Sequence, residues 1–222
     1  EAKAGIAMES IIRPPMIYSI VPKEINRTLA IEILAYFTCI SLALLCAFLL
    51  DRHTAKRFGH GNRIVNLLLP TVAAAVLILI SGYTMVSLKG FILFLLLFYA
   101  SVGDLAVREV DDSVPLMIAL TALIEISISD LPPMLLAVVI ITVPQLAVAV
   151  LKPDTYGGAD IKLMVACAFL LGLTKGLLAL VTGLILAVAV TLIARKIRKQ
   201  NVNESFALVP FLSAGCFLAY LI

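Results

Sequence analysis

Eight long apolar stretches, separated by short polar ones, constrain this chain more than any other feature. They run over roughly 30–50, 64–85, 88–103, 114–128, 133–151, 160–173, 176–194 and 205–222. In hydrocarbon every backbone N–H and C=O must be paired inside the protein, so a spanning segment is a helix or a strand of a closed barrel. The stretches lack the period-two alternation of a barrel strand, which leaves helices. Composition agrees: 62% of the 222 residues are hydrophobic and 14% are charged, against roughly 45–50% apolar for a soluble domain. That is too little polar surface to coat a water-soluble globule. The expected fold is an all-α, polytopic transmembrane bundle of about 6–8 helices. Residues 1–29 would form an N-terminal tail or interfacial segment and 30–222 the bundle. The stretches at 114–128 and 160–173 are the weakest spans and are expected to continue into their polar flanks.

Cys39, Cys46, Cys167 and Cys216 all fall inside apolar stretches and none forms a C-x-x-C pair. The two histidines, His53 and His60, share one loop. Small apolar packing residues are therefore expected, not a zinc site or a disulfide framework. No basic segment with a short apolar core precedes the bundle, so no cleaved secretory signal is expected. Nucleic acid is not among the expected partners, whereas membrane lipid is.

Lys and Arg concentrate in alternate loops, which orients membrane helices. Arg52, Lys56, Arg57 and Arg63 lie in one such loop and Arg195, Lys196, Arg198 and Lys199 in another, while the opposite short loops carry only Lys89 and Lys175. The loops at 51–63, 104–113, 152–159 and 195–204 are thus expected to face the cytoplasm across a plasma membrane.

Acidic side chains beside lipid are costly, so each asks for a reason. Asp104 closes an apolar run and is followed by Arg108, Glu109, Asp111 and Asp112. On a continuing helix Asp104 and Arg108 would form an i, i+4 pair; alternatively the whole string is a solvated collar. Asp160 follows Gly157, Gly158 and Ala159 at the mouth of another run. It could simply cap a helix starting at Ile161, with Lys162 as an interfacial anchor. Taken together the two acids say more, because the alternation of helices places both at the same membrane face. Carboxylates that approach closely cannot both ionise easily and share a proton. One can then take a proton from water while the other polarises an amide carbonyl, which is aspartic-protease chemistry. The glycines beside Asp160 would let a substrate backbone come close.

These residues resemble the type IV prepilin peptidases. Asp104 to Pro115, D-L-A-V-R-E-V-D-D-S-V-P, is similar to the family's first catalytic motif, and its R-E-V-D-D wording is closest to archaeal preflagellin peptidases. Residues 157 to 164, G-G-A-D-I-K-L-M, are similar to the family's G-x-G-D, with Ala159 standing where the common form has Gly. Residues 207 to 215, A-L-V-P-F-L-S-A-G, resemble the proline-containing last helix and place Pro210 there. The resemblance implies a membrane aspartyl endopeptidase with Asp104 and Asp160 as its catalytic pair. It would remove the short basic leader of a prepilin- or preflagellin-like precursor at the cytoplasmic face, after a small residue. Glu109, Asp111 and Asp112 would attract the leader, or else form only a solvated loop. Such hydrolysis needs no metal or organic cofactor. The four-cysteine domain of many bacterial members has no counterpart, which removes the case for N-methyltransferase activity. Two other readings stand beside it: a proton-coupled transporter using intramembrane carboxylates, and a non-catalytic assembly factor with the same fold.

Overall fold

The structure, a computed structural model, describes residues 21–59, 61–152, 157–198 and 207–222. The expected tail up to residue 20 and the basic loop beyond Arg198 lie outside these residues. Among the described residues seven α-helices follow one another: α1 (Val21–Phe58), α2 (Arg63–Ser81), α3 (Met85–Val107), α4 (Ser113–Ala122), α5 (Leu131–Leu151), α6 (Gly158–Arg198) and α7 (Val209–Leu221). Among the described residues every regular element is helical, and five stretches are long and apolar enough to cross a membrane. The all-α, polytopic expectation is met. The chain divides into two compact units, Glu1–Leu42 and Ala43–Ile222. The first is described from Val21 as the opening part of α1, so part of the expected tail is helical.

Helix ends follow local chemistry. Asn62 caps α2, its side chain accepting the Ile64 N–H at 3.2 Å, and Gly82 closes that helix at φ 65°. Thr84 caps α3 by accepting the Ser87 N–H. A 3-10 turn, Ile128–Asp130, leads into α5 through a capping box between Ser127 and Asp130. Prolines 132 and 133 then occupy the first turn of α5, where their missing N–H groups cost nothing.

Two helices depart from simple spans. With ten residues, α4 is about 15 Å long, half of the ~30 Å hydrocarbon core. The expected segment 114–128 is thus helical only to Ala122. Lys89 reaches across from α3 and donates to the carbonyls of Ala122 and Ile124, each at 3.1 Å. It supplies the donors that the short helix leaves missing. In α6 the backbone breaks at Gly172, with φ 74° and ψ −176°. A Cβ placed on Gly176 would lie 3.5 Å from the Cα of Ala168, whereas eight residues along a straight helix are about 12 Å apart. The chain therefore doubles back, and α6 is a hairpin of two arms, matching the separate stretches expected at 160–173 and 176–194.

This hairpin packs against α4, α5 and α7, while α3 packs against α2, α4 and α7. The core between them contains Leu97, Ile118, Leu163, Met164 and Leu212, with Cys167 and Cys216 as small buried fillers. Small residues let backbones meet, as membrane helix packing favours: a Cβ on Gly215 of α7 would come within 2.7 Å of the Gly183 nitrogen in the second arm of α6. The outside is aliphatic, with Leu79, Leu146 and Ile185 exposed. That is the inverse of a soluble protein and suits lipid as solvent.

Candidate active site

Asp104 lies one turn before the end of α3 and is buried. The helix does not continue to Arg108, as an i, i+4 pair would require. Arg108 instead adopts the left-handed conformation, φ 60° and ψ 29°, and its N–H donates to the Asp104 carbonyl at 3.2 Å. The αL cap turns the chain back over the helix end. Gly103 makes the fold-back possible, since a Cβ there would meet the Glu109 carbonyl at 3.0 Å and the Phe58 ring at 3.2 Å. The Arg108 guanidinium still acts on the Asp104 carboxylate through its charge.

The Asp104 carboxylate is held by a group the sequence did not reveal. Its Oδ2 accepts the backbone N–H of Val209 at 3.1 Å, and Val209 is the first residue of α7. A helix N-terminus offers unpaired N–H groups and the positive end of its dipole, so it suits an anionic partner. Pro210 follows in the first turn and lacks an N–H of its own.

Asp160 is the third residue of α6 and half-buried. Expected to cap a helix starting at Ile161, it instead lies inside a helix that opens at Gly158, and its Oδ2 accepts the Gly157 N–H at 3.3 Å. This is the backward half of a capping box. A Cβ on Gly157 would stand 2.9 Å from that same Oδ2, whereas one on Gly158 would meet nothing within 4 Å. The two glycines thus do different things: Gly157 makes room for the carboxylate, and Gly158 faces open space. Ala159 is half-buried beside them.

The two carboxylates stand at the same end of the bundle, and the charge of Asp104 is felt at Asp160. Contacts around them fix this end. Lys162, the fifth residue of α6, donates to Asp112 at 2.6 Å, so the interfacial lysine also ties the start of α6 to the residues after α3. Asp111 takes Arg57 from α1 at 2.6 Å on one oxygen and the Tyr99 hydroxyl at 2.7 Å on the other, and Arg57 also reaches Tyr99 at 3.0 Å. Of the three acids expected to attract a basic leader, two hold cations of their own chain, Asp111 with Arg57 and Asp112 with Lys162. Glu109 is exposed and has no ion-pair partner among the described residues.

An apolar groove of ≈ 590 Å³ runs between α2, α3 and α7. Ser101 and Leu105 on α3 and Pro210 on α7 line it, so it approaches the neighbourhood of Asp104 and Val209.

These features define a class: a polytopic helical membrane protein with two acidic side chains at one end of its bundle. Within it, residues 91–192 match the model of the type IV leader peptidase family, which supports the resemblance carried by the two aspartate motifs. The match takes in α3 from Phe91 through most of α6, with Asp104 and Asp160 inside it, and leaves α1, α2 and α7 outside. No curated protein and no solved structure matched the chain. The family points to a membrane protease that processes precursors carrying leader peptides.

Proposed function

We propose that this chain is an aspartyl endopeptidase that removes the short basic leader from prepilin- or preflagellin-like precursors at the cytoplasmic face of the plasma membrane. The observation that carries the reading is the placement of two acids, both within the matched residues, at one end of the bundle, where the charge of one acts on the other. In this mechanism the ionised carboxylate takes a proton from water as the oxygen attacks the scissile carbonyl. The protonated partner donates to that carbonyl oxygen, and collapse of the tetrahedral intermediate returns a proton to the leaving amine. Asp104 and Asp160 act as a unit, since neighbouring acids share their titration.

The surroundings suit such a substrate. The open space over Gly158 admits an extended backbone beside Asp160. The Lys162–Asp112 pair is exposed on both sides, 57% and 76%. Pairs of that kind are worth about 0–1 kcal/mol, so a leader lysine or arginine can exchange for Lys162, with exposed Glu109 as a second partner. The cations of the 51–63 stretch stand at this same end through Arg57, which supports a cytoplasmic orientation.

The test is cleavage of a purified prepilin by the reconstituted chain. Asp104→Asn and Asp160→Asn each lower the rate by about 10²–10⁴-fold, the usual worth of a positioned acid or base, while the melting curve in detergent stays cooperative. Near-normal cleavage by either variant would end the two-carboxylate mechanism. Leader-independent substrate uptake into proteoliposomes that required Asp160 would favour the transporter.

A further inference from the structure

A second recess lies at this end of the bundle, and proteolysis makes no use of it. Between the last turns of α1 and the start of α2, a cleft of ≈ 350 Å³ is lined by Phe48, Asp51, Arg52, Ala55, Lys56 and Arg63. Its single acid is already engaged. Asp51 accepts the side-chain amide of Asn66 at 2.8 Å and has the Arg63 Nε 3.7 Å away, and its side chain is only 13% exposed. Arg63 also lies over the Phe48 ring, 5.7 Å from the centroid.

Arg52 and Lys56 are four residues apart on α1, so they share a face. Both are exposed, and no acid among the described residues pairs with either. Three cations against one anion leave the cleft with a net charge of +2. Directly along α1 from it come the exposed apolar side chains of Phe48, Leu45 and Leu49. Unpaired cations immediately above a lipid-facing apolar wall fit an amphiphile with the opposite layout. Arginine and lysine take phosphate oxygens by charge-assisted hydrogen bonds, arginine often in bidentate fashion. An acyl chain continuing past Phe48 would cover the apolar wall.

We infer that this cleft binds the phosphodiester headgroup of an anionic membrane lipid, through Arg52, Lys56 and Arg63. The site belongs to α1 and α2, outside the residues matched to the peptidase family, and stands whether or not the carboxylate pair is catalytic. Occupation steadies the last turn of α1, from which Arg57 holds Asp111.

The test uses the full chain in neutral detergent, with phosphatidylglycerol as the probe and bound lipid counted by native mass spectrometry. Wild type retains one phosphatidylglycerol in preference to phosphatidylcholine. R52Q/K56Q weakens that binding about 25-fold, roughly fivefold for each cation at a membrane surface. R52K/K56R, which keeps both charges, retains it and guards against a folding artefact. K152Q/K196Q removes two charges from exposed positions elsewhere in the chain and leaves binding unchanged. Equal loss in the two charge-deleted pairs, or undiminished binding by R52Q/K56Q, overturns the site. Displacement of phosphatidylglycerol by millimolar inorganic phosphate overturns the lipid as its ligand.

Discussion

A methyl group on Gly157 would lie 2.9 Å from Oδ2 of Asp160, and the same group on Gly158 would touch nothing. The two substitutions are therefore expected to part company. Gly157→Ala pushes the carboxylate out of place, and since misplacement by about 1 Å can cost 10²-fold, cleavage falls by about that factor. Gly158→Ala leaves the melting temperature unchanged, and any loss of cleavage it causes reports a substrate backbone passing there. Measuring kcat and melting temperature for both variants separates the two roles. Tyr99→Phe removes the hydroxyl that joins Arg57 to Asp111 and is expected to cost about 0.5–1.5 kcal/mol, read as faster hydrogen exchange over residues 108–112. At this scale the sequence was partly legible. Asp104 and Asp160 stood out because a carboxylate at the edge of an apolar run needs a reason. The Val209 N–H could not stand out: it lies 105 positions from Asp104 and carries no side-chain signature. Nor could Arg57, whose bond to Asp111 exists only once α1 and the loop after α3 have packed.

Among the elements, hydrophobic length located nearly every helix, because lipid imposes a nearly fixed span on any continuous apolar segment. Where ends were misjudged, a tertiary contact or a backbone conformation decided. The extent of α4 depends on Lys89 supplying donors from another helix, and α3 stops because Arg108 turns left-handed. Glycines make the sharpest tests. Gly172 has φ 74° and ψ −176°, a region essentially reserved for glycine, so Gly172→Ala costs about 1–3 kcal/mol. Gly215→Ala drives a methyl against the backbone of Gly183, 2.7 Å from its nitrogen, and against the Ala179 carbonyl. Overpacking of that kind typically costs about 1–3 kcal/mol. Because α7 carries the Val209 N–H to Asp104, Gly215→Ala is expected to lower cleavage as well as thermal stability, whereas Gly172→Ala acts at the far end of its hairpin and lowers stability alone. Thermal melts in detergent beside the prepilin assay distinguish them.

For the whole molecule, the alternating helices and the charged loops make a single topological statement. In a cysteine-free background, Glu109→Cys and Lys196→Cys should react with an impermeant maleimide only from the inner side of sealed vesicles, and Ser81→Cys only from the outer side. Labelling of Glu109→Cys and Ser81→Cys from one side would contradict the arrangement. The break at Gly172 carries this further, to how the protein is made. Its two arms reverse direction about one residue, and the turn offers only Thr174 and Lys175 as exposed polar side chains. So short a turn keeps the second arm beside the first as the chain threads into the bilayer. Both arms have to enter side by side, as a preformed loop, and only after that concerted entry can the final helix arrive from the correct side to present its leading amide.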